Sequence, residues 1–404
     1  MKRLFILANF IFFTIALSAE VRLPSILGDG MVLQQKSKTN LWGWATPHKK
    51  ITIVTSWNNK TYTEHSSSDG KWNIKIETPE AGGPYTITIS DGQPIVLSNV
   101  LIGEVWVCAG QSNVQMPVKG FVGQPIMGSC YAIVMASPRD NIRLLTVFRN
   151  ESTNPMEDCQ STSWLATTPA NVKEFSAIAY FFAKYLQKIL QVPIGIICSA
   201  AGGTNIERWM DQNDYLTTYP NKSMDEVKRV HAGKLYNTMI YPLHPFNIKG
   251  IIWYQGESNV LNPHEYKQLF TKMVASWRNK WELGEFPFYY VQIAPYQYSD
   301  KQASPTGAAE LRQAQLEAMT IIPNSGMAVT SDVGDAKHIH PADKANVSKR
   351  LALWVLAKTY NIPGIPYSGP IYKSAEIKGS KVILSFDYTC LLYTSPSPRD
   401  STSS

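Results

Sequence analysis

Two loops of the sequence carry residue types that can perform nucleophilic catalysis. The first is GEVWVCAGQSN, residues 103–113, in which an apolar strand-like run ends at Gly110 and is followed by Ser112. The second is SDVGDAKHIHP, residues 331–341, which supplies two histidines and two aspartates. A serine hydroxyl becomes a strong nucleophile when an imidazole takes its proton, and a carboxylate commonly orients that imidazole. Together the loops predict a nucleophile and its base.

Two further loops contain groups that can bind an oxyanion. Gly202 and Gly203 follow an apolar run and can offer backbone N–H groups, although a tight structural turn explains the pair equally well. Gln255 of WYQGESN can donate from its side-chain amide. Ser258 of GESN repeats the pattern of GQSN and is therefore a rival nucleophile to Ser112.

The histidine loop has a second interpretation, a metal site. His338, His340, Asp332 and Asp335 are all metal-ligand types. No third or fourth ligand cluster accompanies them in the sequence, so the pattern favours a catalytic base over a metal.

The elements that must position these loops are alternating strands and helices. Apolar strand runs follow Gly103, and helical patterns with a 3.6-residue repeat lie between them, as at 175–189 and 263–277. A further helix is predicted at about 345–360. The alternation predicts an α/β fold with a doubly wound parallel sheet. The strand runs are 142–147, 193–198, 250–254, 288–293 and 327–330.

Composition and hydrophobic pattern divide the chain into five segments. The first has two basic residues, an apolar run and small residues, which is typical of a secretory signal. The second has short alternating runs separated by Gly-rich turns, which predicts a β-sandwich-like accessory domain. The last is Ser/Thr/Pro-rich, and we expect a non-native, disordered tail. The segments are 1–19 (signal peptide), 20–102 (accessory domain), 103–361 (catalytic domain), 362–389 (start of a truncated C-terminal β region) and 390–404 (tail).

Composition limits location and partners. The net charge of +7 is scattered along 404 residues, which argues against a nucleic-acid partner. After the signal no apolar run approaches the roughly 20 residues of a membrane span, so we expect a secreted or periplasmic protein. Cys130 with Cys159 is the single pair considered for a disulfide, whereas Cys108 and Cys198 lie in apolar strand runs.

In this order, GEVWVCAGQSN, GGTNIERW, WYQGESN and SDVGDAKHIHP resemble the motif blocks of the sialate O-acetylesterases, within the SGNH-type hydrolase superfamily. The resemblance runs from RLPSILGDGMVLQQ to RLALWVLA, nearly the whole chain. It implies an SGNH-type domain and a serine esterase that removes acetyl groups from sugars, often sialic acid, without metal or organic cofactor.

Residue roles follow from the resemblance. Ser112 matches the nucleophile, His340 the base and Asp335 the acid, with Asp332 or no carboxylate as open alternatives. The implied oxyanion donors are the Ser112 amide, one glycine of Gly202 and Gly203, and Gln255.

The resemblance implies an O-acetylated sugar or glycan as the substrate. The Glu257 carboxylate can position loops or substrate. A sialic acid carboxylate invites an arginine, for which Arg143, Arg208 and Arg312 are candidates, with Arg208 and Arg312 favoured. A polysaccharide acetylesterase acting on xylan and a non-catalytic carbohydrate-binding protein remain alternatives. The sequence leaves the oligomeric state open.

Overall fold

A computed structural model describes residues 21–298 and 306–389 of the chain. The predicted signal peptide and the predicted tail lie outside these residues.

Fifteen strands occur in the described residues, and six of them build a central parallel sheet. The order across that sheet is β13, β12, β11, β7, β10, β8, with the short β9 antiparallel at the edge of β8. The strands are β1 (Val32–Gln34), β2 (Lys38–Trp44), β3 (Lys50–Thr55), β4 (Thr61–His65), β5 (Lys71–Glu77), β6 (Gly82–Ser90), β7 (Pro94–Gly110), β8 (Ile142–Val147), β9 (Leu165–Ala166), β10 (Ile194–Ala200), β11 (Gly250–Tyr254), β12 (Phe288–Val291), β13 (Ser325–Ala328), β14 (Ile371–Lys378) and β15 (Lys381–Asp387).

Helices cover both faces of this sheet. In the described part of the chain they are α1 (Ser112–Gln115), α2 (Ser129–Val134), α3 (Pro169–Glu174), α4 (Ala177–Leu190), α5 (Gln212–Thr218), α6 (Met224–Val230), α7 (Pro263–Trp281), α8 (Gly307–Ile321) and α9 (Lys344–Lys358). Short 3₁₀ turns span Pro138–Asp140, Ile206–Trp209, Tyr241–Leu243 and Glu257–Asn259, and one π-helical turn spans Tyr236–Ile240.

Strand β7 shows why the sheet is buried on both sides. Successive side chains of a strand point to opposite faces. Trp106 and Cys108 pack in the hydrophobic cluster that includes α4 and α9, whereas Val105 and Val107 pack in the cluster that includes α7 and α8. The apolar run that the sequence shows at 105–108 is therefore a central strand, and the predicted doubly wound α/β fold is confirmed.

The same strand extends into the N-terminal β region. Its first half pairs antiparallel with β6 and parallel with β1, and its second half pairs with β10 and β11. Strands β2 and β5 form a separate two-stranded sheet. The predicted domain boundary at 102–103 thus falls inside one continuous strand, which fixes the β region to the sheet that carries the site.

Three further features concern the cysteines, the possibility of a membrane-spanning helix and the C-terminal β region. Cys108, Cys130, Cys159 and Cys198 are free thiols, so the considered bridge between Cys130 and Cys159 is absent. Across the described residues, no helix is both long and apolar enough to cross a membrane. Residues 362–389 include the hairpin β14–β15, most of whose residues are exposed.

Candidate active site

Ser112 lies where the central strand turns into a helix. Gly110 ends β7 with a φ of +145°, and a Cβ there would lie 2.1 Å from the carbonyl oxygen of Tyr254. Only glycine permits this approach. Ser112 therefore becomes the first residue of α1, beyond the carboxyl end of β7. The connections from β7 and β10 lead to opposite sides of the sheet, and such a switch point is where open α/β sheets bind ligands.

His340 contacts this serine. Its Nε2 lies 2.8 Å from Ser112 Oγ, and its Nδ1 lies 2.6 Å from Oε1 of Gln124. Because an amide oxygen can only accept, Nδ1 carries the proton and Nε2 is free to accept from the serine hydroxyl. This is the arrangement that a general base requires.

Gln124 is held by a tight turn, residues 121–124. Two backbone hydrogen bonds of 3.1 and 3.0 Å join Phe121 and Gln124, with Gly123 between them at a φ of +71°. The Phe121 ring also packs edge-on against the imidazole, with ring centroids 5.4 Å apart. One turn thus supports His340 by a hydrogen bond and by an aromatic contact.

The surroundings keep His340 neutral. Burial, and to a smaller extent the nearby Lys344 ammonium, lower the pKa of His340 to about 4. A neutral imidazole at neutral pH can take a proton from Ser112, which is the state that catalysis needs.

The predicted acid does not contact the base in this structure. Asp335 is exposed, and its carboxylate accepts from the backbone N–H groups of Lys337 at 2.6 Å and His338 at 3.1 Å. Asp332 forms a two-point ion pair with Arg350 at 2.5 to 2.6 Å. Both aspartates thus bond groups of their own loop or of α9. The Gln124 amide contacts His340 at the position where a carboxylate was predicted.

Gly202 lies directly beside the nucleophile. A Cβ on Gly202 would lie 3.3 Å from Ser112 Cβ and 2.8 Å from Gln115 Oε1, so a side chain has little room there. The Gly202 N–H donates to that Gln115 oxygen at 2.9 Å. Among the described residues, the N–H groups of Ser112 and Gly203 have no acceptor. These two amides are therefore free to bind an oxyanion.

Gln255, predicted as the third oxyanion donor, is occupied elsewhere. It is fully buried, and its Nε2 donates to the Thr204 carbonyl at 3.1 Å and to Asn259 Oδ1 at 2.7 Å. Its Oε1 accepts from the Tyr266 hydroxyl at 3.1 Å. Both amide protons are used, so in this structure Gln255 holds the loop that contains Gly202 and Gly203 and donates nothing toward Ser112.

Glu257 belongs to a buried polar cluster beneath the nucleophile. The Asn113 amide donates to Glu257 at 2.5 Å and to the Ile339 carbonyl at 3.2 Å, and the fully buried Lys344 ammonium donates to Asn113 Oδ1. Burial raises the pKa of Glu257 and lowers that of Lys344 to about 7. The cluster connects the residue after Ser112 to the residue before His340. A role for Glu257 in positioning the loops or the substrate stays a prediction.

The three arginines considered as partners of a sialic acid carboxylate lie in different parts of the fold. Arg143 is buried within β8 and bonds Asn99. Arg208 forms an ion pair with Glu151 at 3.0 Å. Arg312 lies on α8, and within the described residues its guanidinium makes no hydrogen bond or ion pair with Ser112 or His340. A substrate role for Arg312 stays a prediction.

The rival nucleophile lacks a base. Ser258 Oγ accepts from the Gln111 amide at 3.4 Å, and no described histidine contacts it.

Sequence reasoning missed Gln124, Asn113 and Lys344. Carboxylates and imidazoles stand out in a sequence as catalytic residue types, whereas an amide in a turn or a lysine at a helix start does not.

A serine held against a neutral histidine at the switch point of a parallel sheet, with free amides beside it, defines a serine hydrolase. Comparison with known proteins agrees with this class. The family described as "Carbohydrate esterase, sialic acid-specific acetylesterase" matches residues 102–357, more than half of the chain.

Relatives of known name cover most of the sequence. The sialate O-acetylesterase of Mus musculus is 27% identical over 91% of this chain and 79% of its own, and that of Homo sapiens is 28% identical over 91% and 76%. A carbohydrate acetylesterase from Xanthomonas citri has a crystal structure that matches with a TM-score of 0.83 and 34% identity, over 92% of this chain and 82% of that one. The chain belongs to the sialic acid-specific acetylesterase family of carbohydrate esterases and is a carboxylic ester hydrolase.

Proposed function

We propose that the protein hydrolyses O-acetyl esters of sialic acid through an acetyl-serine intermediate on Ser112. The observation that carries the proposal is the 2.8 Å contact between His340 Nε2 and Ser112 Oγ, in a chain of the sialic acid-specific acetylesterase family. Because Nδ1 is protonated toward Gln124, this contact has the polarity that deprotonates a serine.

The first half-reaction transfers the acetyl group to the enzyme. His340 Nε2 takes the Ser112 proton as Oγ attacks the acetyl carbonyl carbon, and the carbonyl electrons move to oxygen. The N–H groups of Ser112 and Gly203 stabilise this oxyanion. When the oxyanion collapses, the bond to the sugar oxygen breaks and His340 returns the proton to that oxygen, which leaves acetyl-serine and the deacetylated sugar.

The second half-reaction uses water. His340 removes a proton from water as the water oxygen attacks the acetyl-serine carbonyl, and the same amides hold the second oxyanion. Collapse breaks the bond to Ser112 Oγ, which regains a proton from His340. The products are free enzyme and acetic acid, which ionises to acetate and a proton in solution. The proton that His340 takes up in each half-reaction is returned within that half-reaction.

The rival substrate is an acetylated polysaccharide. The matching structure from Xanthomonas citri is described as a carbohydrate acetylesterase, which leaves the sugar open, whereas the mammalian relatives are described as sialate O-acetylesterases. Acetate release from O-acetylated sialic acid and from acetylated xylan, measured in parallel, separates the two.

We expect release from the sialic acid substrate, lost in Ser112→Ala. Acetate release from acetylated xylan alone would be consistent with the mechanism but would refute the assignment of sialic acid as the substrate. Release from neither substrate by a folded protein would favour the carbohydrate-binding alternative.

We propose in addition that the protein is exported. Lys2 and Arg3, the apolar run that follows and the small residues near position 19 support this. Amino-terminal sequencing of protein from the periplasm or medium should begin near residue 20, and an intact Met1 in a cytoplasmic protein would contradict the proposal.

A further inference from the structure

Arg149 lies at the rim of the candidate active site. It follows β8 by two residues, and β8 pairs with β10, whose carboxyl end leads to Gly202. Carboxyl ends of adjacent parallel strands meet at one edge of the sheet, so the two loops lie side by side. Arg149 Nη1 donates to the Gly202 carbonyl at 3.3 Å.

This contact brings a cation near the nucleophile. The Cβ position of Gly202 is 3.3 Å from Ser112 Cβ. The guanidinium is one hydrogen bond from the Gly202 carbonyl oxygen, and the Cβ position of the same residue is one contact from Ser112. The sum of these two distances and the width of one residue places the guanidinium about 10 Å or less from Ser112. The carboxylate and the hydroxyls of a nine-carbon sugar acid are separated by roughly 4 to 9 Å, as covalent bond lengths require. One acidic sugar can therefore reach both groups.

The local charge is positive. Arg149 and Arg208 share a single carboxylate, that of Glu151, at 2.8 and 3.0 Å. Two guanidinium groups against one carboxylate leave one positive charge in excess. Arg149 is 46% exposed and Arg208 17%.

Donors remain available for a ligand. A guanidinium has five N–H groups, and Arg149 donates two bonds to described residues, to Gly202 and to Glu151. Guanidinium forks match carboxylates in geometry, which gives them specificity as well as attraction.

We propose that Arg149, supported by Arg208, forms an anion subsite that binds the carboxylate of the acidic sugar while Ser112 attacks its acetyl ester; this inference rests on the proposed function. It assigns substrate selection to a residue outside the Ser112 and His340 machinery. The subsite favours acetyl esters that carry a carboxylate over neutral ones.

The test is a matched pair of substrates. Kinetics are measured on O-acetylated sialic acid and on the same sugar with its carboxylate converted to a methyl ester, with 4-nitrophenyl acetate as a small neutral reporter of the catalytic machinery. The variants are Arg149→Ala, Arg149→Lys and Arg208→Ala. Arg229→Ala, whose side chain is 75% exposed on α6, is the matched control.

For the wild type we expect about 10- to 100-fold higher kcat/KM on the free acid than on the methyl ester, as charge-assisted hydrogen bonds allow. Arg149→Ala should remove that preference by raising KM for the acid alone. Arg149→Lys should retain part of it, because the charge remains and the fork is lost. Arg229→Ala should behave as the wild type on all three substrates.

Three results would overturn the proposal. A wild type that treats acid and methyl ester alike has no anion subsite, although the esterase function stands. An Arg149→Ala variant that loses activity equally on all three substrates shows a structural role at Gly202. A wild type that cleaves 4-nitrophenyl acetate and neither sugar refutes the sialate function itself, and the subsite with it.

Discussion

Gln124→Ala removes the hydrogen-bond acceptor of the catalytic imidazole. In the wild type the Gln124 oxygen lies 2.6 Å from His340 Nδ1 and fixes the tautomer whose Nε2 faces Ser112. When His340 takes the serine proton it becomes an imidazolium, so this bond becomes charge-assisted in the transition state. The alanine variant loses that stabilisation and leaves the tautomer unspecified.

The structure sets the size of the effect. Hydrogen bonds to charged groups contribute about 1.5 to 3 kcal/mol, and each 1.36 kcal/mol of barrier is tenfold in rate. We therefore expect kcat/KM to fall about 10- to 150-fold. The assay is acetate release or 4-nitrophenyl acetate hydrolysis, with thermal unfolding as a check on folding.

A second variant tests the same contact through the direction in which it changes the pKa of His340. Gln124→Glu puts a carboxylate beside the imidazole, and an opposite charge within a few ångströms raises a histidine pKa by roughly one to three units. The pKa of His340 lies at about 4 in the wild type. The acid limb of the kcat/KM profile should therefore move upward, to roughly pH 5 to 7.

Asp335→Asn is the control, because Asp335 bonds only backbone amides of its own loop among the described residues. We expect a loss below about threefold, as for an exposed surface residue. The reasoning is refuted if Gln124→Ala retains at least half of the wild-type kcat/KM, or if Asp335→Asn is the more damaged of the two. An unmoved acid limb in Gln124→Glu would contradict it as well.

Four other predictions concern groups around this contact. Gly202→Ala places a Cβ 3.3 Å from that of Ser112 and displaces the adjacent Gly203 amide, so single-turnover acetyl transfer should fall about 100-fold; unchanged turnover would contradict the oxyanion role of that amide. Gln255→Ala leaves the buried Thr204 carbonyl without its partner, so unfolding free energy should fall by about 1 to 3 kcal/mol in denaturant titrations, whereas lost activity at full stability would restore Gln255 as an oxyanion donor. Lys344→Met removes the cation near buried Glu257, whose pKa burial already raises, so below about pH 7, where Lys344 is charged in the wild type, the variant should lose stability as pH rises through the Glu257 pKa and regain it in acid; a loss relative to the wild type that does not change between acid and about pH 6.5 would contradict this. Because the pKa of His340 is held below its unfolded value, wild-type activity should fall as pH drops through about 4, and the stability that neutral His340 contributes should decline between about pH 6.5 and 4.

The fold followed from the sequence because the buried strands are continuous apolar runs. The apolar runs at 142–147 and 250–254 predict strands, and they coincide with β8 and β11. The helical pattern at 263–277 coincides with α7, which begins at Pro263 because proline fits the first helical turn. The domain boundary is harder to predict, since nothing in the apolar pattern marks the point at which β7 changes partners.

The nucleophile and base were predictable because their chemistry restricts residue type. Serine at a strand end and histidine in a later loop have few substitutes. The structure brings Ser112 and His340 into contact, and their roles as nucleophile and base stay predictions. The third member was not predictable in this way. Any acceptor can meet Nδ1, so the choice between Asp335 and Gln124 depends on how residues 121–124 turn back over the site.

Gln255 shows the same limit for donors. Its side-chain type suits an oxyanion, but a buried amide bonds whatever surrounds it, and Thr204 and Asn259 are its neighbours. Sequence gives the capacity of a side chain, whereas packing decides which partner it takes.

The central claim is that Ser112 is the residue acetylated during turnover. Labelling with a serine-directed phosphonate, followed by peptide mapping, tests it directly, with Ser112→Ala and Ser258→Ala as the paired variants. We predict stoichiometric label on Ser112 in the wild type and in Ser258→Ala, and neither label nor acetate release in Ser112→Ala. Label on Ser258, or acetate release that survives in Ser112→Ala, would contradict the mechanism.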